Sequence, residues 1–417
     1  GFSSLGHEVF NISQTPQVWI DNHVHDREGT LSIYWDTVEE LFPAGMLKKM
    51  FNIYTQSIEQ LANDKNIWKN KNLITFIDEP NNSINTSQID SQLLYTDFLR
   101  HVKEQPDAIA IIDEKRSISY AELFRRAAAI AQYISNLLPA VSDETPLVAV
   151  ALPKGWQQAV AVLGTLLAGA AYIPIDPRWP LLRRQTILAT AARVVSVITD
   201  ADAKTDDWHG IPLLSIEEEQ LDISPEAFLK RDPDTLAYVI FTSGTTGTPK
   251  GVMMSHAGAM TTLTEINRRF KVSAQDRILA LSSLSFDLSV YDLFGIWAAG
   301  GSVVFLKDDE IRRPDIWRHL IDTTGVTLWN SVPMFWQMLL ESGETPLRQP
   351  RLALLSGDRI PVGLPKQSAE RFPETKLISL GGATEAGVWS ICHEIAPDDP
   401  QPGWQSIPYG LPLHGQS

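Results

Sequence analysis

Cysteine is nearly absent: one residue, Cys392, in 417 excludes an internal disulfide and a zinc site built of thiolates, and it fits a chain kept in a reducing cytoplasm. Long apolar runs are missing too, and none approaches the roughly 20 residues that span a bilayer, so no membrane helix is expected. Positive charge is in deficit, with 35 Lys and Arg against 50 Asp and Glu and a formal net charge of -15. That balance excludes the broad grip on phosphates by which proteins hold nucleic acid regardless of sequence. Any anionic ligand must therefore be held by local groups. The opening Gly1-Phe2-Ser3-Ser4 lacks the basic and apolar regions of a signal peptide, so the chain reads as starting inside a domain.

What is present suggests more than one packed unit, because 417 residues with 44% hydrophobic and 20% charged composition exceed one ordinary globular core. From Asn63 to Ser91 the sequence turns to Asn, Lys, Ser and Asp, which can bury little. A linker over 63–92 is expected to separate a short piece, 1–62, from a large region, 93–417. In the short piece, Gln17–Ile20 and Leu31–Trp35 have strand character and Pro43–Leu61 carries apolar residues at helical spacing. Beyond the linker, apolar runs at Leu147–Leu152, Ala171–Ile175, Val194–Ile198, Ala237–Phe241, Val303–Leu306, Thr327–Ser331, Leu352–Leu355 and Leu377–Leu380 alternate with helical stretches such as Tyr120–Leu138 and Gln157–Ala168. This alternation predicts an α/β fold of stacked layers.

The most informative local pattern runs from Tyr238 to Val252 (YVIFTSGTTGTPKGV), an apolar strand entering a loop of Gly, Ser and Thr that closes on a lysine. Gly244 and Gly247 permit backbone conformations in which amides converge on an anion; Thr242, Ser243, Thr245 and Thr246 add hydroxyls, and Lys250 adds charge. A Walker loop is excluded, since there a Gly precedes the lysine and a Ser or Thr follows it, whereas Pro249 and Gly251 flank Lys250.

This loop resembles the signature of the adenylate-forming superfamily, which includes adenylation domains of nonribosomal peptide synthetases, acyl-CoA ligases and luciferases. Further blocks match in order: Ser119-Tyr120-Ala121-Glu122-Leu123, Leu167 to Asp176, Phe286-Asp287-Leu288-Ser289, Gly381-Gly382-Ala383-Thr384-Glu385 and Tyr409-Gly410-Leu411-Pro412, over roughly Leu94 to Ser417. The resemblance implies the large N-terminal core of that fold and a reaction of a carboxylic acid with ATP and Mg2+ that gives an acyl-adenylate, later passed to a thiol. It implies that the Thr242–Lys250 loop handles the β- and γ-phosphates, that Thr384 contacts the α-phosphate, that Glu385 holds magnesium, and that Gly357, Leu380, Gly381, Gly382 and Ala383 complete the ATP site. Physical reasoning supports the metal role, because a carboxylate beside a triphosphate needs a hard cation between them. Gly381 departs from the pattern: most relatives carry an aromatic there that stacks on adenine, which shifts that contact toward Gly357 and the backbone around Leu380. His256 follows the loop, where either proximity to the site or a structural role at a helix entry is open.

Asp287 interrupts an apolar stretch, Leu281 to Phe294, and a buried carboxylate is costly unless something positive meets it. In amino-acid-activating members the equivalent aspartate receives the substrate α-ammonium. The resemblance further implies a side-chain pocket of Leu288, Tyr291, Asn330, Leu354, Ser356, Leu380, Val388 and Trp389. Tyr291 and Trp389 fill volume, and Asn330 with Ser356 offers neutral polar partners, which suits a short side chain bearing a thiol or hydroxyl. The order is similar to the pocket of cysteine-activating domains next to heterocyclization domains, so L-cysteine is the expected substrate. Serine is the near-isostere that such a pocket separates by only about 1–3 kcal/mol.

Ser13-Gln14-Thr15-Pro16-Gln17-Val18-Trp19-Ile20-Asp21 and Trp35-Asp36 resemble the last signature of heterocyclization domains. The resemblance implies that 1–62 is the C-terminal fragment of such a domain and that Asp21 shuttles protons in cyclodehydration, with a bond to backbone or Asn22 as the structural alternative. It also implies a peptidyl carrier domain bearing phosphopantetheine and an upstream heterocyclization domain as partners. The sequence ends before the ribose-binding acid, the hinge and the small C-terminal domain of the family. A catalytically incomplete fragment that holds ATP or cysteine is therefore carried as an alternative, with an acyl-CoA ligase behind it.

Overall fold

A computed structural model describes residues 20–27, 30–39, 42, 45–63, 92–138, 144–191, 193–203, 205–216, 220–242, 249–343, 347–396 and 399–414. The chain divides into two compact units, Gly1–Ser83 and Ile84–Ser417. In the first, strands Ile20–Arg27 and Thr30–Thr37 pair antiparallel, with Asp21 opposite Asp36 and Asn22 opposite Trp35. Side chains alternate across a strand, so Asn22 and Trp35 share one face. Trp35 packs there on Phe51 and Tyr54 of helix Met46–Asn63, and Asn22 accepts from the Trp35 indole at 2.9 Å while donating to the Tyr54 hydroxyl at 3.1 Å.

The second unit holds two mixed sheets. One has the strand order Lys250–Ser255, Leu236–Thr242, Ala171–Pro174, Leu147–Ala151, Val194–Thr199, Leu213–Leu214. The other runs Leu411–Pro412, Ile391–Glu394, Lys376–Gly381, Leu352–Leu355, Leu328–Ser331, Arg277–Leu279, Ser302–Val304, Ile109–Ile112, Ser117–Ser119. The inner strands of both are parallel; antiparallel pairs close both edges of the larger sheet and one edge of the smaller, whose other edge strand, Leu213–Leu214, pairs parallel with Val194–Thr199. Strands buried on both faces read as continuous apolar runs, which is why the expected runs reappear here as strands. Helix Tyr120–Leu137 begins where the Ser119 hydroxyl accepts from the Glu122 amide at 3.2 Å, so Ser119 in the Ser-Tyr-Ala-Glu block is the helix N-cap.

One buried ion pair ties three segments of the large sheet. Asp276 is 3% exposed and accepts from Arg351 at 2.8 and 2.7 Å, from the Thr327 hydroxyl at 2.8 Å and from the Ser273 amide at 2.9 Å. Burial works against the ionised carboxyl, but the bonds from Arg351, Ser273 and Thr327 outweigh it and hold Asp276 below the usual carboxylate range. A depressed folded pKa contributes stability that is complete above the unfolded value, about 3.9, and is lost as pH falls through the folded one. Asp276→Ala should therefore cost about 2–3 kcal/mol near pH 7, and the gap to wild type should close toward pH 2. Arg351 is 40% exposed and can turn to water, which keeps the loss at that level. Urea unfolding of both proteins across that pH range checks the sign.

Candidate active site

The C-terminal ends of parallel strands in the large sheet open onto a cavity of about 880 Å³. Its wall includes Asp287, Leu288, Ser356, Gly357, Gly382, Thr384, Val388 and Trp389. The expected amino-acid and nucleotide residues are thus brought together in one space, although they lie on separate segments of the sequence. Asp287 stands at the head of a helical stretch that runs from Leu288 to Ala298 and widens into a π-turn at Tyr291–Gly295. Such turns are rare and concentrate at functional sites.

Burial raises the Asp287 carboxyl above its ordinary range; a side-chain hydrogen bond with Thr384 opposes the rise, and the negative charge of Glu385 adds to it. The hydroxyls of Tyr172 and Tyr238 are buried without hydrogen-bond partners among the described residues, and both phenols feel the Asp287 charge. The carboxylate therefore has polar company but meets no cation among the described residues, an arrangement that favours a ligand bearing positive charge.

Behind Asp287 the indole of Trp389 donates to the Ser356 hydroxyl at 3.0 Å, and the Trp389 ring meets that of Tyr291 at 5.1 Å. The remaining four expected pocket residues stand behind the wall. Tyr291 is fully buried and its hydroxyl donates to Asn267 at 3.0 Å. Asn330, Leu354 and Leu380 are each 0% exposed between the sheet and the helical stretch.

On the phosphate side, Thr242 and Lys250 face each other across an antiparallel pair, with Thr242 half-buried and Lys250 exposed. Ser243, Gly244, Thr245, Thr246 and Gly247 lie outside the described residues. Strand Lys250–Ser255, which follows that loop, neighbours the turn Thr384–Ala386 that carries Glu385. Glu385 is exposed and makes no ion pair among the described residues, a single hard oxygen donor of the kind Mg2+ combines with phosphate oxygens.

Gly381 is covered by an aromatic ring from elsewhere: a Cβ there would stand 2.9 Å from Cβ and Cγ of Tyr409, which is 38% exposed. The sequence carried that signal in the Tyr409-Gly410-Leu411-Pro412 block, but nothing in it tied Tyr409 to Gly381. His256 is 2% exposed, accepts from the Leu94 amide at 3.2 Å and is pushed down to about 4 by burial, so its part is structural. In the first unit, Asp21 lies on the hairpin face opposite Trp35, and its Oδ2 stands 3.5 Å from His23 Nε2.

The class follows from comparison: the family described as AMP-binding enzyme matches residues 98–417, and the chain belongs to it. More particularly, it is 42% identical to the pyochelin synthetase PchF of Pseudomonas aeruginosa over 98% of this chain and 22% of that protein. It is 34% identical to the phenyloxazoline synthase MbtB of Mycobacterium tuberculosis over 96% of this chain and 29% of that one. Among solved structures it is similar to the nonribosomal peptide synthetase FmoA3 in its AMPPNP-bound form, with a TM-score of 0.72 and 32% identity over 99% of this chain and 45% of that chain. The same protein bound to α-methyl-L-serine-AMP gives a TM-score of 0.72. The chain spans less than half the length of each of these relatives.

Proposed function

We propose that the chain activates L-cysteine with ATP in a nonribosomal peptide synthetase module. The cysteine carboxylate attacks the α-phosphorus, an oxygen–phosphorus bond forms, and pyrophosphate leaves to give cysteinyl-AMP for loading onto a carrier domain. The observation that carries this reading is Asp287, a half-buried carboxylate that meets no cation among the described residues and shares one cavity wall with Thr384. An α-ammonium docked on Asp287 directs the other end of the amino acid toward Thr384.

In this reading Thr384 meets the α-phosphate, Glu385 holds Mg2+, and Thr242 with Lys250 presents the loop between them to the β- and γ-phosphates. Tyr409 supplies the ring that Gly381 does not, flanking adenine with Gly357. Leu288, Ser356, Val388 and Trp389 bound the cysteine side chain, with Tyr291, Asn330, Leu354 and Leu380 as a supporting layer. MbtB is a phenyloxazoline synthase and the FmoA3 structure holds α-methyl-L-serine-AMP, and both support a substrate with a heteroatom on Cβ. Residues 1–62 are read as the end of a heterocyclization domain in which Asp21 serves ring closure to a thiazoline, 63–92 as a linker and 93–417 as the adenylation core. A phosphopantetheine-bearing carrier domain is the partner.

Amino-acid-dependent pyrophosphate exchange with Cys, Ser, Thr and Ala tests the proposal. Cysteine should lead serine by roughly 10- to 200-fold in kcat/KM. A lead by serine transfers the assignment to serine, and binding of ATP and cysteine without exchange marks a fragment that cannot turn over.

A further inference from the structure

Two ionisable groups just behind the cavity take no part in the reading above. Lys154, in the turn after strand Leu147–Ala151, donates from Nζ to the carbonyls of Ala280 and Ser282, on the segment that leads to Asp287. Asp292, 1% exposed, lies one helical turn beyond Leu288. Burial opposes the charge on each, raising the Asp292 carboxyl and lowering the Lys154 ammonium, and the opposite charge of the other counters both shifts.

Asp292 Oδ1 accepts from Asn330 Nδ2 at 2.8 Å, and the same nitrogen donates to the Leu288 carbonyl at 3.2 Å. Both neighbours are acceptors, so the amide has one workable orientation; reversed, its oxygen would face two oxygens. Asn330 Oδ1 is thereby turned away from the helical stretch. It is buried and meets no donor among the described residues. Native structures leave few buried acceptors unpaired, and each one asks for a partner.

The location suggests that partner. Asn330 is in register with Leu354 on the next strand, so its side chain shares a sheet face with Leu354 and, two residues on, Ser356. Ser356 and Leu288 bound the cavity, so Asn330, itself fully buried, stands one layer behind that part of the wall, toward which a side chain held by its ammonium at Asp287 would extend.

We propose that Asp292, backed by Lys154, is a positioning residue that fixes Asn330 so that its side-chain oxygen accepts a hydrogen bond from the donor on the substrate's Cβ, a thiol or hydroxyl. This rests on the reading of the cavity as an amino-acid site.

The test compares L-cysteine with L-2-aminobutyrate, which has nearly the same size and no donor, by pyrophosphate exchange on the full chain. Wild type should prefer cysteine by roughly tenfold in kcat/KM, the worth of one such bond. Asp292→Asn, whose amide can donate as well as accept, leaves the Leu288 carbonyl alone to orient Asn330, and the preference should fall toward unity through the cysteine KM, while the ATP KM holds. Asn330→Leu, which removes the acceptor, should do the same and decides the matter if Asp292→Asn does not fold. Retention of the wild-type preference in the folded variant overturns the assignment. Equal use of both amino acids by wild type also overturns it while leaving amino-acid activation intact; a wild type inactive with every amino acid removes the underlying reading as well.

Discussion

Asp287→Ala is expected to lower cysteine-dependent pyrophosphate exchange by roughly 100- to 1000-fold. Two unit charges about 4 Å apart attract by roughly 4 kcal/mol at an effective dielectric near 20, and the alanine variant forfeits that attraction whenever the α-ammonium docks. The loss should fall on the amino acid, with nucleotide binding nearly untouched, because Asp287 meets Thr384 through a single hydrogen bond. pH gives a second readout. Burial raises the Asp287 pKa in the free protein, and a bound ammonium draws it back down, so amino-acid binding releases a proton. The cysteine KM should therefore worsen as pH falls toward the raised carboxyl pKa, and the alanine variant should lose that slope. A variant that activates cysteine at the wild-type rate ends the assignment.

Gly382→Ala should be nearly as damaging, by roughly 100-fold in exchange rate. A Cβ at Gly382 would lie 2.7 Å from the Trp389 Cα, 2.9 Å from the Ser390 nitrogen and 3.0 Å from the Val388 oxygen. All three are backbone atoms, so no side chain can rotate away, and the segment that carries Val388 and Trp389 must shift against the strand Lys376–Gly381. Displacements near 1 Å in substrate-positioning elements cost about this factor. The variant should remain folded by circular dichroism with altered Trp fluorescence, because Trp389 is held directly at the displaced site. Exchange within about threefold of wild type would show that the wall yields where close packing says it cannot.

The α/β architecture was legible because strands such as Leu147–Ala151 and Leu352–Leu355 are buried on both faces and announce themselves as unbroken apolar runs. Strand Lys250–Ser255 was not, since it sits at a sheet edge, alternates exposed and buried residues, and begins with Lys and Gly. Within the site, motif order singled out Asp287, Ser356, Thr384 and Trp389, and the fold brings these four to one cavity wall. Sequence order could not tell wall from backing: Tyr291 and Asn330 belong to the same set, but a helix that packs on a sheet turns them toward Asn267 and Asp292. Asp292 and Lys154 left no trace at all, because a lone acid in a helix and a lone lysine after a strand are ordinary surface patterns. Their character appears only once folding has removed both from water. The same holds for Tyr409, whose relation to Gly381 exists only in three dimensions.

The bond between the Trp389 indole and the Ser356 hydroxyl sets the standard that any arriving side chain must meet. Bulk solvent is not the competitor there; a donor and acceptor already mated in a dry wall are. A long polar chain has to part them and restore two contacts at once, whereas a short one slips in front and leaves them joined. On the proposed amino-acid reading, rejection of long polar side chains thus begins in the resting protein, before any substrate arrives.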